Sequence, residues 1–168
     1  MSLLNNSKYG YDIKGNTIRL SLLRSPKWPD PTADRGKHTI EYSLYPHGGT
    51  WRQAMTIQRG YEFNYPLIGV TTDAHKGTLP EKNSFVRLQP SNLVLTSIKK
   101  AEDSDAWVIQ WYDAGDEESQ ATLTLPRPVK RVSLSNFLED EGKELAAEKN
   151  VVRVNTKRAS VVTLKVYF

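Results

Sequence analysis

Apolar residues in this chain recur mostly at every second position, the period of a half-buried strand. In residues 17–23 Ile18, Leu20 and Leu22 share one side, and in residues 38–45 Ile40, Tyr42 and Leu44 do the same. Each run predicts a strand. Residues 9–14 add a shorter one, which the turn pair Gly15-Asn16 folds back onto residues 17–23 as a hairpin. His47-Gly48-Gly49 breaks the pattern, and Thr50 opens the one helical signal: Gln53 stands where a capping box needs it, Trp51, Ala54 and Met55 share a face, and Gly60 offers a left-handed stop. The helix is expected to run about three turns from Thr50. Beyond Tyr61 and Tyr65, residues 67–71 predict a short strand.

Residues 72–83 (TDAHKGTLPEKN) show no apolar period and read as a linker or exposed loop. This places a division between residues 1–80 and 81–168. Past it the pattern is almost purely β, with expected strands at 85–88, 93–99, 107–112, 121–125, 129–135, 151–155 and 161–168, separated by Gly, Asp, Asn and Pro turns. Seven short strands at this spacing predict an antiparallel β-sandwich, so the fold class is all-β with one short helix. In residues 107–112 Trp107, Ile109 and Trp111 alternate with Val108, Gln110 and Tyr112, and the two indoles are expected as core anchors. Residues 139–149 (EDEGKELAAEK) fit either a short surface helix or, with Gly142 and this charge density, a mobile hairpin arm.

With 168 residues, 38% of them hydrophobic and 25% charged, the composition is that of an ordinary globular chain. No apolar run approaches the roughly 18 residues that a membrane helix needs, and the first residues carry no secretory pattern. Cysteine is absent, which excludes disulfides and thiolate metal sites and fits an intracellular, cytoplasmic protein. The net charge of +4 is spread among acidic residues rather than gathered into a stripe, so nucleic acid is not an expected partner, and neither is a membrane.

Between the first two strong runs lies a thirteen-residue connection, residues 24–36, holding three prolines, Trp28, Asp30, Asp34 and three cations. Such a loop cannot be helical and is long for a hairpin, which assigns it a functional role. A metal reading of Asp34, His38 and His47 is disfavoured, because four residues of extended chain from Asp34 to His38 span about 13 Å. No metal site is expected in this chain.

Four ordered motifs carry a resemblance: residues 4–10 (LNNSKYG), 20–26 (LSLLRSP), 29–38 (PDPTADRGKH) and 45–47 (YPH), followed further on by 92–103 (NLVLTSIKKAED) and 107–112 (WVIQWY). Together they resemble the C-terminal β region of glycoside hydrolase family 38, most closely its cytosolic and bacterial α-mannosidases. The resemblance implies a partial mutarotase-like supersandwich followed by a small C-terminal β-sandwich. It also implies a retaining, zinc-dependent enzyme acting on terminal α-mannosides of mannose-containing oligosaccharides. In that family the nucleophile, acid/base and zinc ligands belong to an N-terminal domain, so no catalytic residue and no zinc ligand is expected within this sequence.

What the resemblance leaves to this chain is one wall of a pocket. Asp30, Asp34 and Arg35 are candidates to bond sugar hydroxyls, Trp28 to cover an apolar sugar face, and His47, Arg24 and Tyr9 to stand at the same rim. The competing reading has Asp34 and Arg35 pairing to fix the turn while Trp28 packs against the absent catalytic domain. A different class of function, a stand-alone carbohydrate-binding module, is the alternative, although the four Trp residues are dispersed rather than set in a row. A β segment separated from its partner domain leaves apolar faces uncovered, so self-association through the first half is expected.

Overall fold

A computed structural model describes all 168 residues, which divide into two compact units, Met1–Thr71 and Thr72–Phe168. Each is described by itself.

The second unit is an antiparallel β-sandwich. One sheet has the order β10-β9-β13-β7-β6, built from β6 Leu93–Lys100, β7 Trp107–Asp113, β9 Arg131–Ser135, β10 Glu141–Leu145 and β13 Val161–Tyr167. The other has the order β11-β12-β8-β5, built from β5 Arg87–Gln89, β8 Ser119–Thr124, β11 Ala147–Glu148 and β12 Val151–Thr156. Alternation decides the faces: Ile109 and Trp111 from β7 and Leu164 and Val166 from β13 meet Ala121, Leu123, Val152 and Val154 of the facing sheet, all buried. The Trp111 ring is fully enclosed, and its Nε1–H donates to the Thr156 hydroxyl at 3.0 Å, which satisfies the one polar atom that burial would otherwise orphan. The core-anchor expectation for residues 107–112 holds.

Polar groups close the ends and the outer face. Buried Asp113, at the end of β7, accepts the Gly115, Glu117 and Ala159 amides at 2.9, 3.2 and 3.1 Å and the Asn92 side-chain amide at 3.0 Å, pinning three loops to one carboxylate. Burial pushes its pKa up, and the four donors outweigh that and hold it below the usual range. On the outer face Lys165 is enclosed, and its ammonium donates to both carboxylate oxygens of Asp103 at 2.7 and 2.9 Å.

Residues 139–149 form strands β10 and β11, which pair with β9 and β12 in different sheets, so the helical alternative does not hold. The reason is local. Glu139 turns in the left-handed region, and Gly142 sits at a register shift where a Cβ would lie 3.3 Å from the Leu134 carbonyl oxygen. The sandwich thus has nine strands rather than seven.

The first unit is made of small pieces. β1 Ser2–Asn6 pairs antiparallel with β4 Glu41–Tyr45, and β2 Tyr11–Lys14 pairs with β3 Thr17–Leu20 across Gly15, as the turn pair predicts. The two strong runs therefore belong to separate two-stranded sheets, and both strands are shorter than the apolar pattern, because each ends where its partner ends. The helix is displaced from its expected place. Thr50 and Gln53 do bond reciprocally, but they close a turn; Met55 then takes a left-handed conformation and α1 runs from Thr56 to Asn64, straight through Gly60. Pro66 is what stops it, since the residue before a proline is driven out of the helical region, as Tyr65 is. Residues 67–71 are not a strand: Leu67, Ile68 and Val70 lie exposed with no neighbouring strand.

The units differ most in burial. All fourteen buried apolar residues lie between Leu93 and Val166, whereas residues 1–71 contain no buried residue at all and sixteen of the twenty-two exposed large apolar side chains. Ile18, Leu22, Tyr42 and Leu44, the inward-facing positions of the sequence pattern, are among those exposed.

The pair Glu141–Arg131 gives the sandwich a pH signature. The Arg131 guanidinium, with the Tyr167 hydroxyl, holds the Glu141 carboxyl down to about 2 from its ordinary 4.5. A depressed carboxyl stabilises the fold above its unfolded value and stops doing so as it protonates in the folded state. Glu141→Gln is expected to lower stability by about 1 kcal/mol at neutral pH. The difference from the parent should shrink as pH falls from about 4.5 to 2. Urea midpoints across that range read it, and a constant difference would show that the pair does not set this titration.

Candidate functional site

The loop between β3 and β4 is ordered by its own acidic residues. Asp30 Oδ1 accepts the Thr32 amide at 2.8 Å and the Thr32 hydroxyl at 2.7 Å, and the hydroxyl first, then the amide, lowers the Asp30 pKa. Asp34 sits in the left-handed region at φ 61°, its carboxylate accepts the Ser25 amide at 2.9 Å, and its carbonyl oxygen meets His38 Nε2 at 2.8 Å. The carboxylate of Asp34 thus fastens the two ends of the loop through Ser25 rather than by pairing with Arg35.

Around that frame the other candidates stand outward. Arg24 adjoins Ser25, Arg35 follows Asp34, and both are exposed. Trp28 is 84% exposed and precedes a cis bond to Pro29. His47 is held elsewhere, its Nε2 2.8 Å from the Ser2 hydroxyl, its Nδ1 3.2 Å from the Gly48 carbonyl oxygen, and its ring tilted against Tyr45. Asp30, Asp34, Arg35, Arg24 and Trp28 therefore share one loop, and His47 and Tyr9 do not belong to it.

Tyr9 belongs instead to an open cleft of about 620 Å³ between β1 and α1. Leu3, Leu4 and Ile57 form its apolar part, Tyr9, Tyr61 and Tyr65 its aromatic part, and Asn5 and Asn64 supply amides. Asn64 ties strand to helix, donating through Nδ2 to the Asn5 carbonyl at 3.0 Å and to the Gly60 carbonyl at 2.8 Å. Apart from Tyr9 these residues were not legible as a site. The signal was the four-residue spacing of Tyr61 and Tyr65, one helical turn, which carries weight only once α1 is known to cover both.

No group of three His, Cys, Asp or Glu side chains gathers into a metal-binding cluster. The donor sets of His38 and His47, taken up by backbone carbonyls and a serine, do not fit a zinc site.

Fold and loop together define an antiparallel β-sandwich module preceded by a loop-bearing β segment. Two family models match: the glycosyl hydrolases family 38 C-terminal domain over residues 1–32, and that family's C-terminal beta sandwich domain over residues 92–166. Among similar proteins, Alpha-mannosidase G of Dictyostelium discoideum is 38% identical over 144 residues, covering 83% of this chain and 13% of the relative. Human Alpha-mannosidase 2C1 is 33% identical over 169 residues, covering 98% of this chain and 16% of the relative. Alpha-mannosidase of Saccharomyces cerevisiae is 34% identical over 159 residues, covering 83% and 14%. The chain belongs to the C-terminal region of glycoside hydrolase family 38. It spans only 13–16% of the length of these relatives.

The bond from Asp34 to Ser25 can be tested alone. Asp34→Ala removes the acceptor and places a Cβ-bearing residue without a polar side chain in the left-handed region, at a cost of about 1–2 kcal/mol to the loop. Asp34→Asn keeps both features. The temperature coefficient of the Ser25 amide in NMR is expected to be small in the parent and the Asn variant and large in the Ala variant; equal coefficients in all three would show the loop is fastened differently.

Proposed function

We propose that this chain is the C-terminal β portion of a retaining, zinc-dependent α-mannosidase that hydrolyses terminal α-mannosides, and that it supports and walls an active site carried by an N-terminal domain. Residues 1–80 supply the rim and residues 81–168 the scaffold. The observation that carries this reading is the contrast in burial: a complete core in the sandwich, and none in residues 1–71, whose apolar faces stand uncovered. A segment of that kind is stable when another part of the polypeptide covers it. Family membership and the names of the relatives supply the activity.

Retaining hydrolysis needs two carboxylates about 5–5.5 Å apart flanking the glycosidic bond. That role is not assigned to Asp30 or Asp34, because the family resemblance gives it to an N-terminal domain. Each carboxylate holds the frame through one oxygen, Asp30 through Oδ1 and Asp34 through Oδ2, and their other oxygens stand with Trp28, Arg24 and Arg35 as the groups offered to sugar hydroxyls or to the catalytic domain. Zinc enters through family membership, with its ligands outside these residues. A cytoplasmic setting agrees with the lack of cysteine, and no helix is long and apolar enough to cross a membrane. A stand-alone carbohydrate-binding module has less behind it, since Trp107 and Trp111 are occupied in the sandwich core.

The test is turnover of an aryl α-mannoside. The polypeptide encoded by the complete reading frame is expected to release the phenol and to lose that activity to a chelator, and the 168-residue chain alone is expected to release none. Turnover by this chain, or cleavage by the complete polypeptide of some other glycoside only, would overturn the reading.

A further inference from the structure

The cleft between β1 and α1 carries features that the packing of the chain does not explain. Gly60 lies in the middle of α1, where glycine costs a helix about 1 kcal/mol relative to alanine. Nothing in the chain requires it there: a Cβ built at Gly60 meets no atom within 4 Å. Its backbone is not in the positive-φ region that would favour glycine. What the missing side chain does is leave the cleft open along the helix.

The lining is also chemically selective. In a chain that is 25% charged, no acidic side chain, Lys, Arg or His lines this cleft. Tyr61 and Tyr65 stand one turn apart with rings 18° from parallel and centroids 6.1 Å apart, and Tyr9, which also lines the cleft, is 81% exposed. Asn64 uses both amide hydrogens on backbone carbonyls, which leaves its Oδ1 to accept. Flat aromatic faces beside amide acceptors, without charge, match a neutral sugar: a pyranose offers C–H groups to a ring and hydroxyl donors at its edge. The volume of about 620 Å³ lies within the range of small-ligand sites.

We propose that this cleft is a glycan-binding site that takes a neutral sugar unit, a mannose residue of an oligosaccharide. The identity of the sugar rests on the α-mannosidase reading; the neutral, ring-stacking character rests on the cleft alone. Tyr61 supplies the stacking surface, Asn64 the acceptor, and Gly60 the room.

Saturation-transfer difference NMR on the polypeptide encoded by the complete reading frame, its turnover stopped by a chelator, with α-mannobiose as the probe and maltose and lactose beside it, reads the binding in a first unit that is covered as proposed. Transfer to α-mannobiose is expected. Gly60→Leu, which fills the cleft with a better helix former, is expected to weaken it at least tenfold while its thermal midpoint stays level or rises, so the loss is not unfolding. Tyr61→Ala is expected to weaken it comparably. No transfer to any of the three sugars, or undiminished binding by a folded Gly60→Leu chain, overturns the proposal. Binding of maltose or lactose without α-mannobiose also overturns it and counts against the mannosidase reading. Cleavage of an aryl α-mannoside by the complete polypeptide, with no sugar bound in the cleft, sinks the cleft assignment alone.

Discussion

Apolar burial between the two sheets of the sandwich is the interaction on which the order of this chain rests. Trp111, Ile109, Leu123 and Leu164 have no solvent exposure, and they come from strands of both sheets. At roughly 25 cal/mol per Å² of apolar area, enclosed side chains of this size each contribute on the order of 2 kcal/mol. Residues 1–71 have no comparable source. Their two small sheets and single helix are held by ladder bonds, by Asn64 on Asn5, and by the aspartates of the loop, with sixteen large apolar side chains left exposed.

That imbalance connects structure to function. A two-stranded sheet alone is marginal in water, and an exposed apolar face invites a partner. Within a family 38 polypeptide the proposed partner is the rest of the polypeptide, and the loop of residues 24–36 is the part of this segment proposed to meet substrate. Polar chemistry in the sandwich serves position instead: Asp113 gathers three loops, and Lys165 with Asp103 seals the outer face.

The sandwich was largely legible in the sequence because period two and turn residues act locally. Residues 107–112 showed their inward face at once, and each expected strand of the second half appears within a few residues of its place. The first unit was less legible for physical reasons. The capping pair Thr50 and Gln53 forms as read, yet a left-handed Met55 restarts the helix later, and Pro66 rather than Gly60 ends it. β1 carries no period-two signal because Leu3 and Leu4 do not alternate, and its existence depends on β4, some forty residues away. The family resemblance rests on residue identities in ordered motifs, in loops and strands alike, and not on periodicity. The cleft joins Asn5 to Asn64, a pairing that only the fold brings together.

The first unit presents uncovered apolar surface. Sedimentation velocity on the 168-residue chain, beside a chain limited to residues 72–168, measures this most directly. The longer chain is expected to self-associate as concentration rises and the sandwich alone to stay monomeric. A clean monomer of the longer chain at high concentration would contradict the account.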